Sequence, residues 1–326
     1  MAAEQTQIRP LTHSARSKFQ ACPRAYNIAY VQKIRPVESS AALAFGTAIH
    51  ALLEVYWNNL QKDLEDSDFG PVLKSIPDLY DQAKAWALIL GYAQKYRASD
   101  VETYNTVCVE APFQAPLMNP ETGALSRTWA LAGKIDGIIE EKATGKTVIL
   151  EHKTTSMDVA PGADYWLKLP IDGQVSGYYV GAQSLGFDCR DCIYDVIRKP
   201  SIKPLKATPV EARKYKKDGT LYATCRETDE TPAEYFARLK ADITERPDWY
   251  FARQSVARPD KDLVDYLEDM WMVGRQIADA ERLNRWPRNP SSCNGFGKCD
   301  YFDVCAGMAS LDDVRFTKLD VTNPEL

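Results

Sequence analysis

Two short segments concentrate side chains that could do chemistry: Lys134-Ile135-Asp136-Gly137, and then Ile149-Leu150-Glu151-His152-Lys153-Thr154. Side chains alternate across an extended strand, so Glu151 and Lys153 share one face and His152 takes the other. If the two segments pair as a hairpin, Asp136 comes close to Glu151. Neighbouring carboxylates repel. A divalent cation removes that cost, and oxygen ligands of this hardness suit Mg2+ or Mn2+. With an ammonium beside such an ion, a water can be activated and a phosphoryl oxygen polarised, which is the equipment for phosphodiester hydrolysis. Asp…Glu-x-Lys is also short and common, and an ordinary surface hairpin with a charged face would show it equally. His50, in Phe45-Gly46-Thr47-Ala48-Ile49-His50, lies on a helical pattern four residues before Glu54 and on the same face. It can add a nitrogen ligand, although a lone helix histidine is more often structural. Gln174 and Tyr178 are four apart on a later helix, where they can reach a metal shell or a nucleic-acid backbone, or simply pack.

A second constellation is made of thiols. Eight cysteines occur, and Cys293, Cys299 and Cys305 follow one another with five residues between each pair. Cys22 lies far upstream, in Phe19-Gln20-Ala21-Cys22-Pro23-Arg24-Ala25-Tyr26. With no histidine near the three C-terminal cysteines, the natural candidate is an all-sulfur site. Four thiolates suit Zn2+ or an iron–sulfur cluster, and spacing alone does not choose between them. Cys189-x2-Cys192 has no second pair beside it and reads as ordinary thiols at the start of a strand. Cys108 reads as a core residue.

The elements that would position these groups are legible from periodicity. Apolar spacing predicts helices over residues 14–30, 41–60 and 78–96, the last with Asp78 as N-cap. Strands are predicted over 105–112, 127–140 and 147–154, the latter two joined by a polar turn that ends in Gly145-Lys146. A helix over 172–185, a strand over 192–198 and helices over 231–245 and 261–283 complete the order. Such an order predicts an α/β protein with a mixed central β-sheet flanked by helices. Residues 203–226 are basic and carry Pro204, Pro209 and Gly219, the composition of an insertion or arm. A site shared by Cys22 and Cys305 would close the chain on itself. We therefore expect one domain over 1–326: a core at about 14–202, a basic insertion at about 203–230, and a helical, cysteine-rich closing segment at about 231–310.

The bulk numbers are those of a globular protein, with 45% hydrophobic and 26% charged residues. No apolar run is long enough to predict a membrane span, and residues 1–10 lack the apolar stretch of a secretory signal, so the expected compartment is the cytoplasm. A net charge of −5 counts mildly against a nucleic-acid ligand, yet residues 190–217 hold nine Lys/Arg against three Asp/Glu. That run is either a nucleic-acid contact or a solvated face.

Taken in order, Gly46-Thr47-Ala48-Ile49-His50, Gly133-Lys134-Ile135-Asp136, Glu151-His152-Lys153-Thr154 and Gln174-x-x-x-Tyr178 form a series that resembles the RecB-type nuclease domain of the PD-(D/E)XK superfamily. Ile135 stands where many members carry proline. The resemblance covers residues 19–198 and implies a restriction-endonuclease-like core. It also implies metal ligation by His50, Asp136, Glu151 and the backbone carbonyl of His152, a catalytic role for Lys153, and an auxiliary role for Gln174 and Tyr178. The Cys-Pro-Arg-x-Tyr segment with three C-terminal cysteines is similar to Cas4, AddB and related phage nucleases. That similarity implies a [4Fe-4S] cluster on Cys22, Cys293, Cys299 and Cys305, with Zn2+ as the alternative. The implied function is a Mg2+- or Mn2+-dependent DNA nuclease, an exonuclease on single strands or ends, working in recombination or repair beside a helicase or recombinase. The alternative is a catalytically weak iron–sulfur DNA-binding or scaffold module of a recombination or CRISPR-adaptation complex. A chelator-sensitive nuclease assay separates the two.

Overall fold

The computed structural model describes residues 8–38, 40–64, 67–295 and 297–326. The chain enters through β1 (Arg9–Leu11). The helix predicted over residues 14–30 is in fact α1 (His13–Ala21) and α2 (Pro23–Tyr26), the second running on into a wider π-turn at Asn27–Val31. Pro23 causes the break. It offers no N–H, and its ring drives the preceding residue out of the helical region, so Cys22 is extended at φ −162°, ψ 107°. Then come β2 (Ile34–Pro36), α3 (Ala41–Asn58), α4 (Gly70–Ser75) and α5 (Leu79–Thr103). Asp78 caps α5 by accepting from the Asp81 N–H, and the helix outruns its predicted end.

β3 (Tyr104–Met118), β4 (Leu125–Glu141) and β5 (Thr147–Thr155) follow as an antiparallel set. A 3-10 segment (Asp164–Ile171) leads into α6 (Gly173–Ser184), whose N-cap Asp172 receives the N–H groups of Gln174 and Val175. The rest is β6 (Cys192–Arg198), α7 (Pro232–Glu245), α8 (Pro247–Tyr250), β7 (Phe251–Ser255), α9 (Asp260–Leu283), α10 (Phe302–Cys305) and β8 (Phe316–Lys318). None of the described helices is long and apolar enough to cross a membrane.

Six strands make one mixed sheet. β4 is antiparallel to β3 and β5, β1 is parallel to β4, β6 is parallel to β5, and β7 is antiparallel to β6. β2 and β8 pair separately. This is the mixed α/β architecture expected from the sequence. Successive residues of a strand enter opposite cores: Leu150 and Ile197 join α3, α5 and α7 on one face, and Ile149 and Val196 join α6 on the other. A third apolar cluster packs α1, α2 and α9 around Trp129 and Leu131.

Unequal strand lengths matter most for the site. β3 covers one edge of β4 along most of its length. The other edge is shared: β1 pairs with residues 129–131 and β5 with residues 137–140. Among the described residues, 132–136 therefore have no strand neighbour on that edge.

Charge is buried behind β5. Asp195 of β6 lies opposite His152, 3.3 Å from its Nδ1, and accepts a hydrogen bond from Tyr92. Arg253 of β7 reaches Asp195 at 3.4 Å and donates to both oxygens of Asp100 at 2.5 and 2.9 Å. Tyr56 donates to Asp100 at 2.9 Å. One guanidinium thus compensates two buried carboxylates. Removing one partner of a buried pair leaves an uncompensated charge, so Arg253→Ala should destabilise the fold by about 3–5 kcal/mol. Urea denaturation reads this directly, and a midpoint equal to wild type would contradict it.

Candidate active site

The reactive side chains gather at the gap along β4. β5 stays on β4 up to Leu150 and then parts from it, while remaining paired with β6 through Thr155. The next N–H on the β4 side is that of His152. Instead of a strand carbonyl it finds Asp136 Oδ2, at 2.8 Å. The N–H and C=O of a residue in an extended strand leave on the same side, so the His152 carbonyl faces the same gap.

His50 reaches the gap from α3, with Nδ1 3.6 Å from Asp136 Oδ2. Gly46, one turn earlier, lies against β5. A Cβ there would stand 3.2 Å from Thr154 Oγ1, so glycine lets the helix settle close enough for the histidine to arrive.

A further carboxylate joins them that sequence reasoning missed. Glu110 lies on β3 between the register pairs Val109↔Gly137 and Ala111↔Ile135, which places it across from Asp136. Its φ is +49°, a left-handed conformation that costs a non-glycine residue free energy and marks a locally forced backbone. Ligand atoms of His50, Glu110 and Asp136 all lie within 4.8 Å of one another, a grouping that no other His, Cys, Asp or Glu side chains match among the described residues. Lys134 forms an ion pair with Glu110. The available signal was a single acidic residue in the otherwise apolar run Val107-Cys108-Val109. Glu54, the helix neighbour of His50, is not in the group.

Glu151 and Lys153 do share a face, and they are hydrogen-bonded to each other. Lys153 Nζ also donates to Gln174 Oε1 at 2.9 Å, and Gln174 Nε2 donates to the Tyr178 hydroxyl at 2.8 Å. Glu151 is fully buried, and its Oε2 meets no hydrogen-bond partner of good geometry among the described residues. It stands outside the 4.8 Å group, tied up by Lys153. A cleft of about 190 Å3 opens beside Asp136, walled by Gly133, Lys134, Gln174, Tyr178 and Tyr266.

Burial dominates the electrostatics. It pushes the Glu151 carboxyl up to about 7 against the pull of Lys153, with Asp136 adding to the rise. It raises Asp136 too, against the pull of His152 and Lys153. It lowers His50 to about 4, helped by His152, so the imidazole is neutral and free to act as a ligand. Burial also works against the Lys153 ammonium, but Glu151 and Asp136 outweigh it and keep the amine charged. Three carboxylates (Glu110, Asp136, Glu151) face two ammonium groups (Lys134, Lys153), so the site is short of positive charge. An imidazole, three carboxylates with an orphaned buried oxygen, and a strand carbonyl fit a hard divalent cation. Such an ion, when bound, supplies Lewis acidity and an acidified water.

The four cysteines of the second constellation line one cavity of about 480 Å3, with Arg288 in its wall. The two ends of the chain are locked around it. Asn289 and Ser292 donate to the Ala21 carbonyl at 2.8 and 2.7 Å, capping the open end of α1 beside Cys22. Arg24 N–H reaches the Pro287 carbonyl at 3.1 Å, and Arg288 donates to the Cys305 carbonyl at 3.0 Å. No three of the four sulfurs lie within 4.8 Å of one another. Cys108, Cys189 and Cys192 belong instead to the core under α6, where burial pushes the Cys192 thiol well up.

The chain belongs to the PD-(D/E)XK nuclease superfamily, whose sequence model matches residues 10–306. Members of that superfamily use divalent metals. No curated protein matches the sequence. Among solved structures, the chain is similar to the crystal structure of SSO0001 at 14% identity, over 65% of this chain and 78% of that one, with a TM-score of 0.22. It is also similar to a phage related exonuclease from Haemophilus somnus 129PT at 9% identity, over 72% and 94%, with a TM-score of 0.27.

The elevated Glu151 carboxyl sets a pH dependence. A carboxyl raised in the folded state is destabilising once ionised, a cost that grows as pH climbs from the ordinary 4.5 through about 7. A cation removes that cost above 7 but must displace a proton below it. Mn2+ should therefore raise the thermal midpoint more at about pH 8 than at about pH 5.5. Asp136→Asn should abolish most of the increment. Equal increments at both pH values would contradict the assignment.

Proposed function

We propose that this protein is a Mg2+- or Mn2+-dependent DNA nuclease of the RecB/Cas4/AddB-like branch, acting as an exonuclease on single strands or DNA ends. One observation carries the reading: His50, Glu110 and Asp136 meet within 4.8 Å beside a buried Glu151 that holds Lys153 and keeps one oxygen without a hydrogen-bond partner among the described residues. A hairpin with only a structural role has no reason to bury a carboxylate that way. His50, Asp136, Glu151 and the His152 carbonyl are the metal-holding groups, and Glu110 joins them. Lys153 places its charge at the reacting phosphate and is aimed by Gln174, which Tyr178 steadies in turn. The whole chain serves as one nuclease domain: the core, the insertion at about 203–230 and the closing segment at about 231–310. A cytoplasmic helicase or recombinase that exposes single strands is the partner such an enzyme would serve.

Cys22, Cys293, Cys299 and Cys305 hold a [4Fe-4S] cluster in this reading. Four thiolates bound about 2.3 Å from one zinc ion stand roughly 3.8 Å apart. No three of the sulfurs here come that close to one another, and all four cysteines line a cavity of about 480 Å3, which leaves room for the larger cluster. Burial raises the Cys305 thiol, with Cys22 and Cys299 adding to the rise, and Arg24 and Arg288 oppose that rise without reversing it.

Digestion of end-labelled single- and double-stranded DNA tests the nuclease. Mg2+ or Mn2+ should support cleavage and a chelator should stop it. Lys153→Ala should cut the rate by roughly a hundredfold or more while retaining the Mn2+-dependent rise in thermal midpoint, because it removes charge at the phosphate and leaves the ion in place. Wild-type cleavage by that variant would contradict the role given to Lys153.

Protein purified without oxygen should be brown and carry about four irons per chain. Cys22→Ala should lose the colour and melt earlier, because the cluster links distant parts of the chain, whereas Cys189→Ala should keep both properties. Colourless protein with one zinc per chain would replace the cluster with a zinc site.

A further inference from the structure

Between β6 and α7 the chain makes one long excursion. It leaves the sheet at the end where Lys153 lies: Arg198 pairs with Thr155, and the Lys199 N–H donates to the Thr155 carbonyl at 2.7 Å. The excursion then runs out and back along itself. Backbone hydrogen bonds join Glu230 to Leu205 (2.8 Å), Thr208 to Arg226 (2.9 Å), Tyr222 to Lys214 (3.0 Å) and Lys216 to Thr220 (2.7 Å). Tyr215 faces Leu221 between the last two, and Gly219, at φ +82°, closes the turn. The root is anchored to the helices. Arg238 of α7 binds Glu230 at 2.6 and 2.8 Å, and the Tyr80 hydroxyl donates to the Glu230 carbonyl at 2.6 Å.

The tip is chemically unlike the rest of this net-negative protein. Near the root, Lys206 and Arg226 are neutralised by Asp229 and Glu234. At the tip, Lys214, Lys216 and Lys217 form no ion pair among the described residues, and Asp218 accepts instead from Thr220. Tyr215 and Tyr222 are 52% and 48% exposed, and neither hydroxyl has a hydrogen-bond partner among the described residues. Opposed residues of a hairpin share a face, so Tyr215 sits with Leu221 on one side and Tyr222 with Lys214 on the other. These rings add little to the fold. An open aromatic face next to an uncompensated ammonium matches an unstacked base next to a phosphate. A duplex hides its base faces, and a single strand presents them.

We propose that the tip of this arm binds single-stranded DNA, with Tyr215 and Tyr222 stacking on unpaired bases and Lys214, Lys216 and Lys217 contacting phosphates. The inference rests on the nuclease reading above and gives the enzyme a hold on its strand outside the catalytic cleft. The test uses the full chain carrying Tyr215→Ala and Tyr222→Ala together. Affinity is measured by fluorescence anisotropy for an oligothymidylate of about 16 nucleotides and for a duplex of equal length, both in EDTA so that nothing is cleaved. Single-strand affinity should fall at least about tenfold and duplex affinity change less than about twofold, while the Tyr→Phe pair binds as wild type because stacking needs the ring and not the hydroxyl. Lys→Gln at 214, 216 and 217 should make the salt dependence of single-strand binding shallower by about two units of slope. Unchanged single-strand affinity in the alanine variant, or an equal loss on the duplex, would overturn the proposal. Metal-dependent cleavage by the wild-type protein is scored alongside. Cleaving wild type with an alanine variant that binds normally refutes the arm and leaves the nuclease standing. Wild type that does not cleave, with a variant that loses single-strand binding, does the reverse.

Discussion

The hydrogen bond from the His152 N–H to Asp136 Oδ2 is the interaction on which the site depends. A buried amide must be paired, and in a continuous ladder its partner would be a carbonyl of the neighbouring strand. Here β5 parts from β4 after Leu150, and a side chain takes over the pairing. Asp136 therefore closes the sheet and opens it at once: it satisfies the backbone where the strands separate and keeps a carboxylate in the gap between them. The gap exists because β4 is longer than either neighbour on that edge, with β1 at one end and β5 at the other. His50 on α3 and Glu110 on β3 converge on that carboxylate, the first through the close approach at Gly46 and the second through a left-handed backbone.

The middle residue of Glu151-His152-Lys153 is held twice. Its backbone is bound by Asp136 and its ring faces Asp195, which is fixed by Tyr92 and Arg253. On the opposite face Glu151 and Lys153 grip each other, and Gln174 and Tyr178 extend the chain of contacts onto α6. The strand is thus clamped from both faces where a reaction would need it rigid. Burial raises the Glu151 carboxyl to about 7, which eases the excess of carboxylates, and Lys153 opposes that rise.

Much of this was legible because it follows strict local rules. A period of two put Glu151 and Lys153 on one face and His152 on the other, and the boundaries of β6 and the N-cap of α5 agree with the predicted ones. What escaped was set by distant parts of the chain. Glu110 is one acid in an apolar strand, and only the cross-strand register shows that it meets Asp136. The break at Cys22 was signalled by Pro23 but masked by helical spacing that continues through the π-turn to Tyr30. β1 and β7 are short strands whose existence depends on the neighbours they pair with. The basic run at 203–226 was visible as charge, whereas its out-and-back course rests on scattered backbone bonds, from Leu205–Glu230 at the root to Lys216–Thr220 at the tip, that no regular apolar alternation announces.

The central claim is that one catalytic metal site forms where β4 and β5 separate. Crystals grown with Mn2+ and measured at its absorption edge test this most directly. The account predicts a single strong anomalous peak in the gap, about 2.0–2.4 Å from an Asp136 oxygen and the His50 imidazole, with Glu151 or Glu110 completing the shell. A peak elsewhere on the protein, with His50 and Asp136 left unbound, would contradict it.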